Sequence, residues 1–178
     1  GINKMGNDSV LDGKCLLIVD DEPDVLETLT DILDMCRIDT APDFASAEKY
    51  LSENRYDAAV FDIMGVDGYR LLEIANQKNI PALMLTAHAL SPENLIASIT
   101  NGARAYLPKD RMIDIESFLV DLMDTPAHKP GKNSRWFSKL KPDFDRAFGK
   151  GWRQKDRPFW QAFDRTLVHS REELENIL

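Results

Sequence analysis

The stretch Cys15-Leu16-Leu17-Ile18-Val19-Asp20-Asp21-Glu22-Pro23 decides how this 178-residue chain is read. An unbroken apolar run suits a strand buried on both faces. Two acids end the run, and Pro23 suits the first turn of a helix, where a missing N–H leaves nothing unpaired. Val25, Leu26, Leu29, Ile32, Leu33 and Cys36 then continue at helical spacing. Strand, acidic strand end, helix: this is one βα unit.

The same alternation recurs outward from it. A short strand is expected over 38–41 and a helix over 45–54 with Ala47, Tyr50 and Leu51 inward. A strand over 56–62 leads to a helix over 69–77 whose Leu71, Leu72 and Ala75 share a face. Pro81 opens a strand running through Thr86, and Pro92 starts a helix (Leu95, Ile96, Ile99) that stops at Asn101-Gly102. The last strand is expected over 104–107 and the last helix over 113–123. Five βα units predict an α/β fold, a parallel sheet with right-handed crossovers and helices on both faces.

The polar residues at the strand ends carry the chemistry. In a parallel sheet those ends share one edge, and ligands bind in the crevice outside it. Asp20-Asp21, Asp62, Thr86 and Lys109 would meet there. Taken singly, each has an ordinary explanation. Acids ahead of a helix are commonly N-caps or dipole partners. Thr86 suits a strand by its β-branch, and a lysine after Pro108 is usually a solvated charge. Together they say more. Three carboxylates within a few ångströms repel by about 4 kcal/mol per close pair at an effective dielectric near 20, so the cluster needs a cation. All-oxygen ligands without His or Cys favour Mg²⁺ or Mn²⁺ over zinc. Lys109, facing them, becomes a point charge for phosphate oxygens. Ala87 is small and leaves room beside the Thr86 hydroxyl. Such a set can hold a divalent cation and receive a phosphoryl group. His88, His128 and His169 are scattered and receive no catalytic role.

The segments Leu-Leu-Ile-Val-Asp20-Asp21-Glu-Pro, Val-Phe-Asp62-Ile-Met-Gly-Val-Asp-Gly68, Leu-Met-Leu-Thr86-Ala87 and Ala-Tyr106-Leu-Pro-Lys109 together resemble the receiver domain of two-component response regulators. The resemblance covers residues 14–124 and implies a flavodoxin-like, doubly wound, five-stranded sheet of order 2-1-3-4-5. It implies that Asp62 accepts a phosphoryl group from the phosphohistidine of a histidine kinase or phosphotransfer protein. It also implies that Asp20, Asp21, Asp62 and the backbone carbonyl of Met64 hold Mg²⁺, with Asp20 acting through water. Thr86 and Lys109 would bind the phosphoryl oxygens, and Thr86 with Tyr106 would form the conformational switch. One departure stands out: Asp62 to Gly68 is two residues shorter than the family's loop and lacks its Pro.

Composition divides the chain. Residues 1–125 carry 10 Lys/Arg against 23 Asp/Glu, whereas residues 126–178 carry 12 against 7. All three Trp and five of the eight Phe fall in the second part, so two units with different jobs are expected. Residues 1–13 read as a flexible N-terminal segment, 125–134 as a Pro/Gly linker, and 135–178 as an aromatic, basic, all-helical extension. Within the extension, Trp136, Phe137 and Leu140 form one stripe, and Phe144, Ala147 and Phe148 another. Phe159, Trp160, Phe163 and Leu167 form a third, and Ser170 with Glu173 makes a capping box. The aromatics are spaced to bury, against the receiver part or a second copy. A protein partner ranks next, and nucleic acid or a membrane surface last. With no export signal, no disulfide framework and no membrane-length apolar run, a cytoplasmic location is the default expectation.

Three functions of different classes are consistent with these residues. The preferred one is a phosphorylatable signalling module that is not an enzyme beyond its own phosphotransfer and dephosphorylation. The second is a non-phosphorylated receiver-like scaffold acting through the extension. The third is a metal-dependent phosphatase with Asp62 as nucleophile, against which Met64 counts, because such enzymes carry a second Asp at that place.

Overall fold

The computed structural model describes residues 9–87, 91–123 and 135–165. Its sheet has five parallel strands in the order β2-β1-β3-β4-β5, as expected. The strands β1 (Cys15–Val19), β3 (Ala58–Asp62), β4 (Ala82–Thr86) and β5 (Ala105–Pro108) are apolar and almost wholly buried. The more polar β2 (Arg37–Ala41) takes the outer edge beside β1. Helices α1 (Pro23–Ile32), α2 (Phe44–Glu53), α3 (Gly68–Gln77), α4 (Pro92–Thr100) and α5 (Ile115–Met123) complete the five βα units. Several starts are chemically marked. The Asp43 carboxylate accepts the Ser46 N–H at 2.8 Å, and the Ser91 hydroxyl accepts the Asn94 N–H at 3.1 Å.

Parallel register brings the functional edge together. Val19 pairs with Phe61, Asp62 with Leu85, and Thr86 with Pro108. The residues following β1, β3, β4 and β5 therefore open on the same side of the sheet.

Helix α6 (Arg135–Phe148) and a further helix, α7, over residues 157–165 form the described part of the extension. The strand β5 is the second edge of the sheet, yet it is buried throughout, because α6 packs beside it. Pro142 lies inside α6 without ending it. Pro142 and Ser138, whose carbonyl the ring deprives of a donor, are both exposed, so water can take that carbonyl. Two expected aromatic stripes thus belong to one helix: Trp136, Phe137, Leu140 and Phe144 are buried along it. Ala147, expected inward with them, is exposed.

Other boundaries also differ from the periodic reading. Helix α1 stops at Ile32, because Leu33 leaves helical geometry and the Cys36 N–H bonds back to Leu33 in a tight turn into β2. Leu33 is still buried, so its apolar spacing reported burial and not helix. Before α5, residues Lys109–Asp114 form a 3₁₀ segment with Ile113 largely exposed. Of the N-terminal segment expected to be flexible, residues 9–13 instead close a turn in which Leu11 is fully buried and the Gly13 N–H reaches the Met35 carbonyl. Residues 1–8, the linker 125–134, the three histidines, Leu167 and the Ser170–Glu173 box lie outside the described residues.

Candidate functional site

The strand ends converge as their sequence order predicts. Asp20 follows β1, Asp62 ends β3, Thr86 ends β4, and Lys109 follows β5. A cleft of ≈ 180 Å³ is lined by Asp21, Glu22, Asp62, Met64, Gly65, Thr86, Ala87 and Lys109. Asp20 lies beneath it, fully buried, and Asp62 is nearly so.

Lys109 is the hub of the charges. Its Nζ is 2.8 Å from Asp20 Oδ2, 3.1 Å from Glu22 Oε1 and 3.4 Å from Asp62 Oδ1. Burial of the ammonium opposes its charge, but the facing carboxylates prevail and raise its pKa. Asp20 also accepts the Glu22 N–H at 2.9 Å, which fixes its orientation. Burial nevertheless raises the Asp20 pKa against the pull of Lys109. Asp62 is pushed up to about 7, first by burial and then by the negative charge of Asp20, with Lys109 only partly offsetting both.

One lysine does not neutralise this site. Asp20, Asp21 and Asp62 each bring a carboxylate oxygen within 4.8 Å of the others. An oxygen-only donor set, with Asp21 exposed and the negative charge on Asp62 opposed by burial and by Asp20, fits a hard divalent cation such as Mg²⁺, which would offset that charge.

The loop after β3 is where the short spacing takes effect. The Val66 N–H reaches back to the Met64 carbonyl at 2.7 Å across Gly65, whose φ is +73°. This is a γ-turn of the rare positive-φ kind. A Cβ on Gly65 would lie 2.6 Å from Asp21 Oδ2, so only glycine lets the loop close over that carboxylate. Asp67 then takes a left-handed conformation (φ 55°) before α3, and a Cβ on Gly68 would overlap the Asp62 carbonyl at 2.1 Å. Met64 is exposed at the rim, and its carbonyl has one lone pair engaged by Val66.

Behind the cleft, Thr86 and Tyr106 are buried neighbours. Burial raises the Tyr106 pKa, and the nearby Thr86 hydroxyl only partly opposes it. Neither the Thr86 nor the Tyr106 hydroxyl has a hydrogen-bond partner among the described residues. On its other side the Tyr106 ring meets Phe144 of α6 edge-on, with centroids 6.0 Å apart.

All the side chains expected to act are thus in one place. Two participants were missed. Glu22, the third acid of the run after β1, shares Lys109; its position beside Asp20-Asp21 was the available signal. Gly65 was passed over because a glycine in a loop does not announce which carboxylate its backbone will approach.

Comparison with known proteins agrees with this geometry. Residues 16–117 match the model of the response regulator receiver domain family. The chain is 31% identical over 136 residues to the two-component response regulator ARR18 of Arabidopsis thaliana, covering 73% of this chain and 20% of that protein. It is 37% identical over 102 residues to the heme response regulator HssR of Staphylococcus haemolyticus, covering 54% of this chain and 44% of that protein. Among solved structures, it is similar to the receiver domain of Francisella response regulator 1452. That likeness has 28% identity and a TM-score of 0.55, over 62% of this chain and 96% of that one. The curated relatives are therefore much longer than the part this chain matches.

Proposed function

This chain belongs to the response regulator receiver domain family, and from that membership we propose that it accepts a phosphoryl group on Asp62 from a histidine kinase or a phosphotransfer protein. The observation that carries the reading is the placement of a buried Asp62 carboxylate 3.4 Å from Lys109, in one cleft with Asp21 and Thr86. Phosphoryl transfer asks a protein mainly for positioning and charge neutralisation, and this cleft offers both.

In the proposed reaction, Asp62 attacks phosphorus in line with the leaving imidazole. An O–P bond forms, the N–P bond breaks, and its electron pair returns to the donor histidine ring. Lys109 faces the phosphoryl oxygens, and the Thr86 hydroxyl donates to one of them. Asp21 and Asp62, Asp20 through water, and the Met64 carbonyl would hold Mg²⁺ or Mn²⁺. Bound there, the cation supplies further neutralisation of the transferring charge. The phosphoryl group then draws on Thr86 and changes the setting of Tyr106, a two-state element biased by a local charge. On this reading the protein signals and does not turn over a substrate, apart from its own dephosphorylation.

We further propose residues 14–124 as the receiver, 125–134 as a linker and 135–178 as an extension, acting in the cytoplasm. The extension packs in the described part on the receiver itself. Self-association or a protein partner remain roles for its other surfaces, ahead of nucleic acid or membrane. A second reading, a scaffold that is never phosphorylated, is favoured by one observation. The shortened loop presses Gly65 onto Asp21, the carboxylate that a cation needs.

Phosphotransfer separates the two. Incubation with phosphorylated kinase or acetyl phosphate in Mg²⁺ is expected to label the wild type and leave Asp62→Asn unlabelled. Equal labelling of the variant overturns Asp62 as the acceptor, and a wild type that neither labels nor binds beryllofluoride overturns the acceptor reading in favour of the scaffold.

A further inference from the structure

We infer that Asp143, on helix α6 of the extension, is a positioning residue for the cleft: through Arg111 it holds the 3₁₀ segment from which Lys109 reaches Asp62. This rests on the acceptor reading of Asp62 and adds to it a residue from outside the receiver. Lys109 needs a fixed root. Its Nζ lies 2.8 Å from Asp20 and 3.4 Å from Asp62, and a displacement of about 1 Å at a reacting centre can cost roughly a hundredfold in rate. The backbone that carries it is weakly built. Lys109–Asp114 is a 3₁₀ segment of six residues, none of them buried. Runs of that length are uncommon, because i→i+3 bonds have poorer geometry. Ile113 is largely exposed and Met112 only partly buried. Apolar packing therefore fixes little of the segment, and side-chain ties must fix the rest.

Arg111, two residues after Lys109, supplies such ties. Its Nε donates to Asp114 Oδ2 at 2.9 Å, which closes the segment on itself. Its Nη1 donates to Asp143 Oδ2, which ties the segment to α6. The other Asp143 oxygen accepts from Arg146, so the carboxylate is held from two sides. The Asp143 side chain is 16% exposed, and salt screens such a pair less than one on the open surface. Phe144, the next residue, is fully buried and sets where Asp143 stands. The other ion pairs of the extension end elsewhere. Lys139 pairs with Asp121 of α5 at 2.6 Å, and Lys155 with Glu93 of α4 at 3.3 Å. Those acids sit on α-helices whose own backbone bonds hold their shape. The Arg111–Asp143 pair ends on the segment that begins with Lys109.

The test uses the full chain in Mg²⁺, with acetyl phosphate as donor and beryllofluoride as the phosphoryl probe. Asp143→Asn keeps the shape of the side chain and leaves Phe144 in place. It is expected to lower the phosphorylation rate and the beryllofluoride affinity by about threefold or more, within the range seen for changes along a contact network. Amide exchange across residues 109–114 should quicken, while exchange across α6 stays as in the wild type. Mg²⁺ affinity should not fall, since Lys109 is not among the groups proposed to hold the cation. Arg111→Gln is expected to do the same, the double variant to lose no more than either single one, and Asp143→Glu to recover most of the rate. Lys139→Ala removes a tie to α5 without touching the segment and serves as the control. An equal loss in Lys139→Ala, or a wild-type rate and affinity in Asp143→Asn, overturns the positioning role. So does a fall in Mg²⁺ affinity as large as the fall in rate, which would report general damage to the cleft. If Asp143→Asn or Arg111→Gln releases α6 to fast exchange, the pair is a docking tie and the inference fails. A wild type that neither labels nor binds beryllofluoride overturns the acceptor reading on which the inference rests.

Discussion

Asp62 holds its proton unusually tightly for a carboxylate, and that has a sign that can be measured. Its pKa in the folded protein is pushed up to about 7, chiefly by burial and then by Asp20. The unfolded chain, with an ordinary carboxylate, binds fewer protons than the folded one between about pH 4 and 7. Metal-free protein is therefore expected to lose stability as pH rises through that window, on the order of 1–3 kcal/mol from this residue. Asp62→Asn should remove most of that slope and raise the thermal midpoint near pH 8, as read by metal-free unfolding scans. A wild type and variant with the same slope would contradict the assignment. Mg²⁺ competes for the same oxygen, so its affinity should rise with pH up to about 7 and level off above. Asp21 and Asp20 should differ. Asp21 faces the cleft with water around it, so Asp21→Ala is expected to abolish Mg²⁺ binding by titration calorimetry. Asp20 is already paired with Lys109 at 2.8 Å, so Asp20→Ala should weaken binding less, leaving Lys109 to lean on Asp62.

Element by element, what was legible in the sequence is what period and punctuation encode. The strands β1, β3, β4 and β5 are each a short apolar run closed by a polar residue, and Pro23, Pro81, Pro92 and Gly102 mark starts and stops. That is enough to give five parallel strands and to put Asp20, Asp62, Thr86 and Lys109 at one edge. Backbone torsions are not encoded that way. Nothing in Met64-Gly65-Val66 told that the chain folds back on itself and closes over Asp21. Nor did Pro142 announce that α6 would run through it, since the freed carbonyl is tolerated only on a face left to water. The loop yields its own prediction. Gly65→Ala forces a left-handed residue, costing roughly 1–2 kcal/mol, and drives a methyl into Asp21. Mg²⁺ affinity is expected to fall at least tenfold, while the secondary structure stays intact by circular dichroism. Unchanged affinity would mean that the loop does not position Asp21.

On the scale of the whole molecule, charge and apolar area act together. The acidic receiver and the basic extension meet through Lys139 and Arg135 at Asp121 and through Lys155 at Glu93. The pairs with exposed partners contribute little each and weaken further with salt. The centre is apolar: Tyr106, Phe144, Phe137 and Leu140 are buried to 2% exposure or less. Truncating a buried phenylalanine of this kind costs about 3–5 kcal/mol, so Phe144 outweighs the whole ionic rim. Composition alone foretold burial of these aromatics against the receiver or a second copy. It could not choose between them, because the choice depends on whether the chain between α5 and α6 can reach β5. The described contacts are within one chain. A chain ending after Asp124 leaves the β5 edge and the Tyr106 face uncovered, and soluble monomers rarely expose an apolar patch that large. Its weight-average mass in sedimentation equilibrium is therefore expected to rise with concentration over a range where the full chain's does not. Added salt should leave that association largely in place, since the exposed surface is apolar and not ionic. If the truncated receiver sediments like the full chain at every concentration, the extension does not shield that face.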